Sequence, residues 1–278
     1  MDRCALPRRA FAAMGTVVSV RLDTVGEHAD AAVAAVAAVF ARWEARCSLF
    51  EPASELSRIG RGELALTEAC AEVRDAYALA LGWRDATGGV FTPHRGDGVI
   101  DLNGVVKALA VEEAGETLDR AGFERWAIDA GGDVLVADAT SGTSSPWPIG
   151  IVDPPDRIAL LARIDLDGVR RRAVATSGSA ERGDHIWTRT GEGPSPFLQV
   201  TVAAADLVTA DVLATAVVAG GRASLDELAD RFDVDVLAAT HGGELLATPG
   251  WPRAQPAAPS GAGSPGGSGS RAISPIAS

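Results

Sequence analysis

Residues 209–218, Thr209-Ala210-Asp211-Val212-Leu213-Ala214-Thr215-Ala216-Val217-Val218, form an apolar helical stretch that closes a long run of short β segments. That succession decides the fold class. Upstream of it, Trp126 to Ile128, Val134 to Val136, Ile149 to Val152, Ile158 to Ile164 and Leu198 to Val202 are apolar or alternating and of strand length. Nearer the N-terminus, Phe11 to Leu22 alternates like a strand with Val18, Val20 and Leu22 on one face. Val33, Val36, Ala37, Phe40 and Cys47, and then Ala69, Val73, Tyr77 and Ala80, recur at helical spacing and read as core faces. Gly220-Gly221 is expected to end the helix. Ser224 with Glu227 forms a capping box for a short helix through Phe232, and Val236-Leu237 with Leu245-Leu246 suggest a closing hairpin. The pattern predicts an α+β fold.

The same stretch carries chemistry. Asp211 and Thr215 stand four residues apart, so their oxygens project from one helix face. A carboxylate with a hydroxyl is a hard-oxygen pair suited to Mg²⁺ or Ca²⁺, and two ligands leave room for a substrate diphosphate. The bland reading is an Asp in a first helical turn favouring the dipole and a Thr filling an apolar face. Three further segments weigh against it. In Asp101-Leu102-Asn103-Gly104-Val105-Val106-Lys107 a short β run, Gly98-Val99-Ile100, gives way at Gly104 to a helical pattern. Lys107 is thereby expected in the first turn beside free amides, a phosphate-binding arrangement, where the alternative is a solvated lysine. Gly131-Gly132-Asp133 follows a strand, and its glycines permit positive φ or close approach of a ligand; an ordinary turn is the alternative. Thr176-Ser177-Gly178, Glu181-Arg182 and His185 bring hydroxyls, an acid and a base together.

Charge and length narrow the function classes. The chain has 278 residues with 37 acidic against 25 basic, a net charge of −12, and no basic stripe with interleaved aromatics, which argues against nucleic-acid binding. The three cysteines, Cys4, Cys47 and Cys70, have no CxxC spacing and give no zinc or redox signature. The opening Met1 to Arg9 has no apolar h-region, Cys4 is not a lipoprotein cysteine, and no uninterrupted apolar run reaches about 18 residues, so a cytoplasmic location without a membrane span is expected. Residues 1–251 read as the folded domain. Residues 252–278, rich in Gly, Ser, Pro and Ala, are expected to be a disordered tail, an extension or a partner tether. No internal repeat, P-loop or GxGxxG fingerprint occurs.

The order of these segments resembles the ApbE family of FAD:protein FMN transferases over roughly residues 11 to 246. The resemblance rests on Met14-Gly15-Thr16; Cys47 to Arg58; Asp101 to Lys107; Gly131-Gly132-Asp133; Trp147 to Pro154; Thr176-Ser177-Gly178 with Glu181-Arg182; His185-Ile186; and Ala210-Asp211 with Thr215. It implies an ApbE-like, duplicated T-fold-like α+β architecture of mixed and antiparallel sheets packed with helices. It implies Mg²⁺-dependent transfer of FMN from FAD to a Thr or Ser hydroxyl of an acceptor protein, with release of AMP. By resemblance, Asp211, Thr215 and the main-chain oxygen of Val106 hold the metal. Met14, Gly104, Lys107, Gly131, Gly132, Asp133, Ser177 and Glu181 contact FAD, and His185 accepts the proton of the acceptor hydroxyl.

Departures from the family pattern are specific. Ala108 stands where Gly commonly follows the motif lysine, and its methyl is expected to crowd the approaching diphosphate. Asn103 replaces a frequent Gly, Thr92 a common Asp, and the run His185 to Gly191 lacks the family's Asp-Pro. These departures keep two alternatives open: an FAD pyrophosphatase yielding FMN and AMP, and a non-catalytic FAD-binding protein.

Overall fold

Trp126, Ile128 and Ala130 of β3 (Trp126–Ala130) turn to one apolar core, while Ala127 between them turns to another. This period-2 alternation makes the sheet the middle layer of the molecule. The structure, a computed structural model, describes residues 6–137, 145–178, 195–251 and 273–275. Its main sheet has nine strands in the order β1 (Arg8–Ala13), β2 (Thr16–Leu22), β3, β4 (Asp133–Val136), β7 (Ala173–Gly178), β8 (Phe197–Ala204), β9 (Asp235–Thr240), β10 (Leu245–Ala247) and β11 (Ile273–Pro275). Every neighbouring pair is antiparallel except β10 with β11. A two-stranded antiparallel ribbon, β5 (Trp147–Asp153) and β6 (Asp156–Leu166), covers one face through Ile151, Ala162, Ile164 and Leu166.

Helices cover the other face: α1 (Glu27–Cys47), the short α2 (Glu55–Gly60), α3 (Ala71–Ala86), α4 (Asn103–Arg120) and α5 (Leu207–Arg231). In α1 the buried Ala29, Ala32, Val36, Val39, Phe40, Trp43 and Cys47 recur every three or four residues, and Glu27 and Asp30 in the first turn favour the helix dipole. α4 lies on β3 and β4, α5 lies on β7 and β8, and the two helices pack together. Gly115 of α4 lets that helix close on the sheet, because a Cβ there would lie 2.5 Å from the Trp126 ring. This α+β architecture of antiparallel sheet packed with helices agrees with the sequence pattern.

Four local expectations change. Phe11 to Leu22 is not one strand but the hairpin β1–β2, turned by Met14 (φ 50°) and Gly15 (φ 70°) between the paired Ala13 and Thr16. Positive φ at both central residues is a type I′ turn. Gly98 to Ile100 is not a strand either; only an isolated bridge joins Ile100 to His94. The helix does end at the glycines, since Gly221 (φ 66°, ψ −150°) is non-helical and a second segment follows to Arg231; what changes is Ser224, which is buried inside that second segment rather than capping it. Within the expected disordered tail, Ile273–Pro275 pairs with β10; the rest of residues 252–278 lies outside the described residues. α5 is long and apolar enough to cross a membrane by length and composition, but most of it is buried against the sheet and α4, as a core helix is.

Two acidic groups fix the start of α5. The Asp206 carboxylate caps it, accepting the Thr209 amide at 2.7 Å, and Glu112 on α4 accepts the Leu207 amide at 2.5 Å. Burial pushes the Glu112 carboxyl above its ordinary range, against the lowering effect of the Leu207 amide. A folded-state pKa above the unfolded value means that the folded chain binds the extra proton, so this contribution to stability falls as pH rises above about 4.5. Glu112→Gln is expected to flatten that part of the profile, as read from chemical-denaturation midpoints between about pH 4.5 and 7.

Candidate functional site

The chain contains a single lysine, Lys107; every other basic residue of the 25 is arginine. Asp101 Oδ1 accepts the Asn103 amide at 2.9 Å and starts α4 there, so Lys107 falls in the second turn rather than the first. Its side chain is buried beneath the helix, where its Nζ pairs with Asp133 and stands 3.7 Å from Asp211 Oδ2. The expected phosphate-seeking lysine beside free amides is therefore a buried cation already held by two carboxylates.

Each partner comes from a different element. Asp133 opens β4 directly after the two-residue turn Gly131 (φ 68°) and Gly132 (φ 95°), and is 1% exposed. Its Oδ1 accepts the Thr176 amide of β7 at 3.1 Å while Oδ2 faces Lys107. Asp133 thus ties α4 to the middle of the sheet. Asp211 lies in the second turn of α5 and is 5% exposed, so it neither caps that helix nor faces solvent. One turn on, Thr215 Oγ1 is 3.1 Å from Ser177 Oγ of β7, which brings the expected metal-binding and flavin-binding hydroxyls together. On the opposite face of β7, Thr176 Oγ1 is hydrogen-bonded to Thr201 Oγ1 at 2.9 Å.

The remaining sequence-derived residues divide by position. Met14 is the non-glycine residue with positive φ among those described, a conformation uncommon outside Gly and Asn. Its turn borders Gly131: a Cβ at Gly131 would lie 2.4 Å from Thr16 Oγ1, so the β1–β2 and β3–β4 turns sit side by side at one end of the sheet. Gly104 has a packing reason to be glycine, since a Cβ there would lie 2.7 Å from the Phe91 ring. Val106 is buried within α4, where the helical ladder uses one lone pair of its carbonyl and leaves the other. Glu181, Arg182 and His185 lie outside the described residues.

Ala108 does not crowd a phosphate site. It is fully buried in the helix-side core, so its methyl packs inward. Ala108→Gly, rather than improving flavin binding, is expected to destabilise the fold by about 1–2 kcal/mol through helix propensity and the lost methyl, measured by chemical denaturation.

The donor chemistry fits a hard divalent cation. Asp211 and Thr215 offer only oxygen from one helix face, and among the described residues two carboxylates flank the one ammonium. Among the described residues no group of three or more His, Cys, Asp or Glu forms a metal cage, so a cation held here takes further oxygens from backbone, water or substrate.

An antiparallel sheet layered with helices, with an acidic, lysine-centred cluster buried where β4 and β7 meet α4 and α5, defines the class of this protein. The ApbE family model matches residues 94–238, a span that contains Lys107, Asp133, Ser177, Asp211 and Thr215, and the chain belongs to the ApbE family. The fold agrees with solved members. The ApbE protein of Thermotoga maritima is 21% identical with a TM-score of 0.73, covering 86% of this chain and 96% of that one. The flavin transferase ApbE of Vibrio cholerae is 18% identical with a TM-score of 0.69, covering 87% and 97%. The flavinyl transferase ApbE of Pseudomonas stutzeri is 21% identical with a TM-score of 0.69, covering 89% and 95%. A comparison with curated proteins gives no match.

Proposed function

We propose that this chain transfers FMN from FAD to a Thr or Ser hydroxyl of an acceptor protein, with Mg²⁺ and with release of AMP. The observation that carries the reading is the Lys107–Asp133–Asp211 cluster with the Thr215–Ser177 hydroxyl pair beside it, inside the span that the family model matches. Asp211 and Thr215, joined by the Val106 carbonyl, are the residues suited to hold Mg²⁺, which when bound supplies charge neutralisation to a diphosphate.

The chain's own residues then have distinct tasks. Asp133 fixes the Lys107 ammonium and, through the Thr176 amide, the end of β7 that presents Ser177. Lys107 offsets the charge of the buried carboxylates, pairing with Asp133 and standing 3.7 Å from Asp211 Oδ2. Ser177 orients the Thr215 hydroxyl. The Met14-Gly15 and Gly131-Gly132 turns offer backbone to the flavin nucleotide. Glu181 orients a hydroxyl of the nucleotide. His185 accepts the acceptor's proton as it attacks the FMN phosphorus and AMP departs, a task suited to an imidazole pKa near 6.5.

Incubation of the purified chain with FAD and Mg²⁺, with and without a Thr-bearing acceptor, tests the reading. AMP together with flavin-labelled acceptor is expected. AMP without acceptor indicates a pyrophosphatase, and bound but intact FAD a non-catalytic flavoprotein. In the same assay His185→Ala is expected to keep FAD affinity within a few-fold, by flavin fluorescence titration, and to lose about a hundredfold or more in transfer rate.

A further inference from the structure

We infer that the outer edge of β10 is a strand-acceptor site whose occupant is the chain's own segment Ile273–Pro275. The sheet is antiparallel from β1 to β10, each step made by the main-chain pairing of adjacent strands, and only its last pair is parallel. A parallel neighbour cannot follow through a tight turn and must be brought by a long crossover. Trp251, the last described residue before that crossover, is 4% exposed, packs in the ribbon-side core and donates its amide to Thr248 O at 3.0 Å. The next described residues pair with β10, Ile273 opposite Leu245, Ser274 opposite Leu246 and Pro275 opposite Ala247.

The acceptor strand needs such a cover. Leu245, Leu246 and Ala247 are 2–4% exposed, and an apolar edge of this kind with unpaired amides and carbonyls is a template for another chain's strand. Thr248 holds β10 rigidly in place, donating its amide to Val236 O and accepting the Val236 amide on its hydroxyl, each at 3.0 Å. The segment is suited to end a sheet rather than extend it. Successive amides of a strand point to opposite sides. Leu246 bonds to β9, so Leu245 and Ala247 face the added strand, and Ser274, paired between them, is the residue whose amide and carbonyl face β10. Pro275 offers no amide on the outer side, and proline is characteristic of edge strands. The site therefore takes an extended peptide whose central residue donates and accepts across the edge and is followed by proline, by strand addition. Carried on the same chain, the segment is presented at an effective concentration on the order of a millimolar, which keeps the edge closed to other strands.

Hydrogen exchange at Leu245 to Ala247 in the full chain tests this. In Ile273→Pro/Ser274→Pro, which removes the Ser274 amide facing β10 and the extended pairing around it, exchange at Leu245 and Ala247 is expected to quicken by about tenfold or more. The single variant Ser274→Ala, which keeps its amide, is expected to exchange like the parent chain. A peptide of residues 270–278, added at about 1 mM to the double-proline chain, is expected to restore slow exchange. Equal exchange in the parent and double-proline chains overturns the edge cover. Failure of the peptide to slow the faster exchange overturns the acceptor site.

Discussion

Asp211→Asn is expected to lower Mg²⁺-dependent release of AMP from FAD by about two to three orders of magnitude or more, with the fold retained. The substitution keeps the shape of a side chain that is 5% exposed and removes one negative charge. Lys107 still has Asp133 as its direct partner, so its ammonium keeps a buried carboxylate. What is lost is the carboxylate suited to Mg²⁺. Thermal unfolding of the variant separates the two effects. A midpoint near that of the parent chain, with activity lost, assigns the carboxylate to chemistry. Full activity in the variant removes Asp211 from the mechanism.

Lys107→Ala is expected to act on folding as strongly as on function. It removes the cation that pairs with Asp133 and stands beside Asp211, and removing one partner from a buried ion pair costs about 3–5 kcal/mol. Chemical-denaturation midpoints of the variant and the parent chain measure the loss. Equal midpoints contradict a structural role for the ion cluster.

The sequence exposes the parts of this site that lie on one element. Asp211 and Thr215 are legible because helical spacing alone puts them on one face, and the apolar run around them locates the helix. Lys107 is legible as a motif residue, but its register is not. Gly104 looks like the point where a helix begins, whereas the Asp101 carboxylate starts α4 at Asn103 and moves the lysine into the buried second turn. Its pairing with Asp133 depends on α4 crossing the first residue of β4, and the Ser177–Thr215 bond depends on α5 lying on β7. No local pattern encodes either contact. One signal was available: Lys107 is the single lysine of a chain whose other Lys/Arg positions are all arginine.

The same physics explains the fold-level differences. The β1–β2 turn is hidden because Met14-Gly15 lacks the Asn-Gly signature of a type I′ turn, so the alternation reads straight through it. Gly104, a ligand contact by resemblance, also faces the Phe91 ring, which leaves no room for a Cβ. Ile273–Pro275 is too short and too isolated among Gly, Ser and Pro to read as a strand, and only the β10 edge gives it a partner.

The claim that the Lys107–Asp133–Asp211 cluster receives FAD with its cation is tested most directly by the lysine itself. Because the chain has one lysine, selective ¹⁵N-lysine labelling gives a single side-chain ammonium resonance, that of Lys107. Titration with Mg²⁺ and FAD together is expected to shift that resonance saturably in the parent chain and to leave it nearly unmoved in Asp211→Asn. A resonance indifferent to both ligands in the parent chain, while FAD binding is observed by fluorescence, contradicts the account and places the flavin site elsewhere.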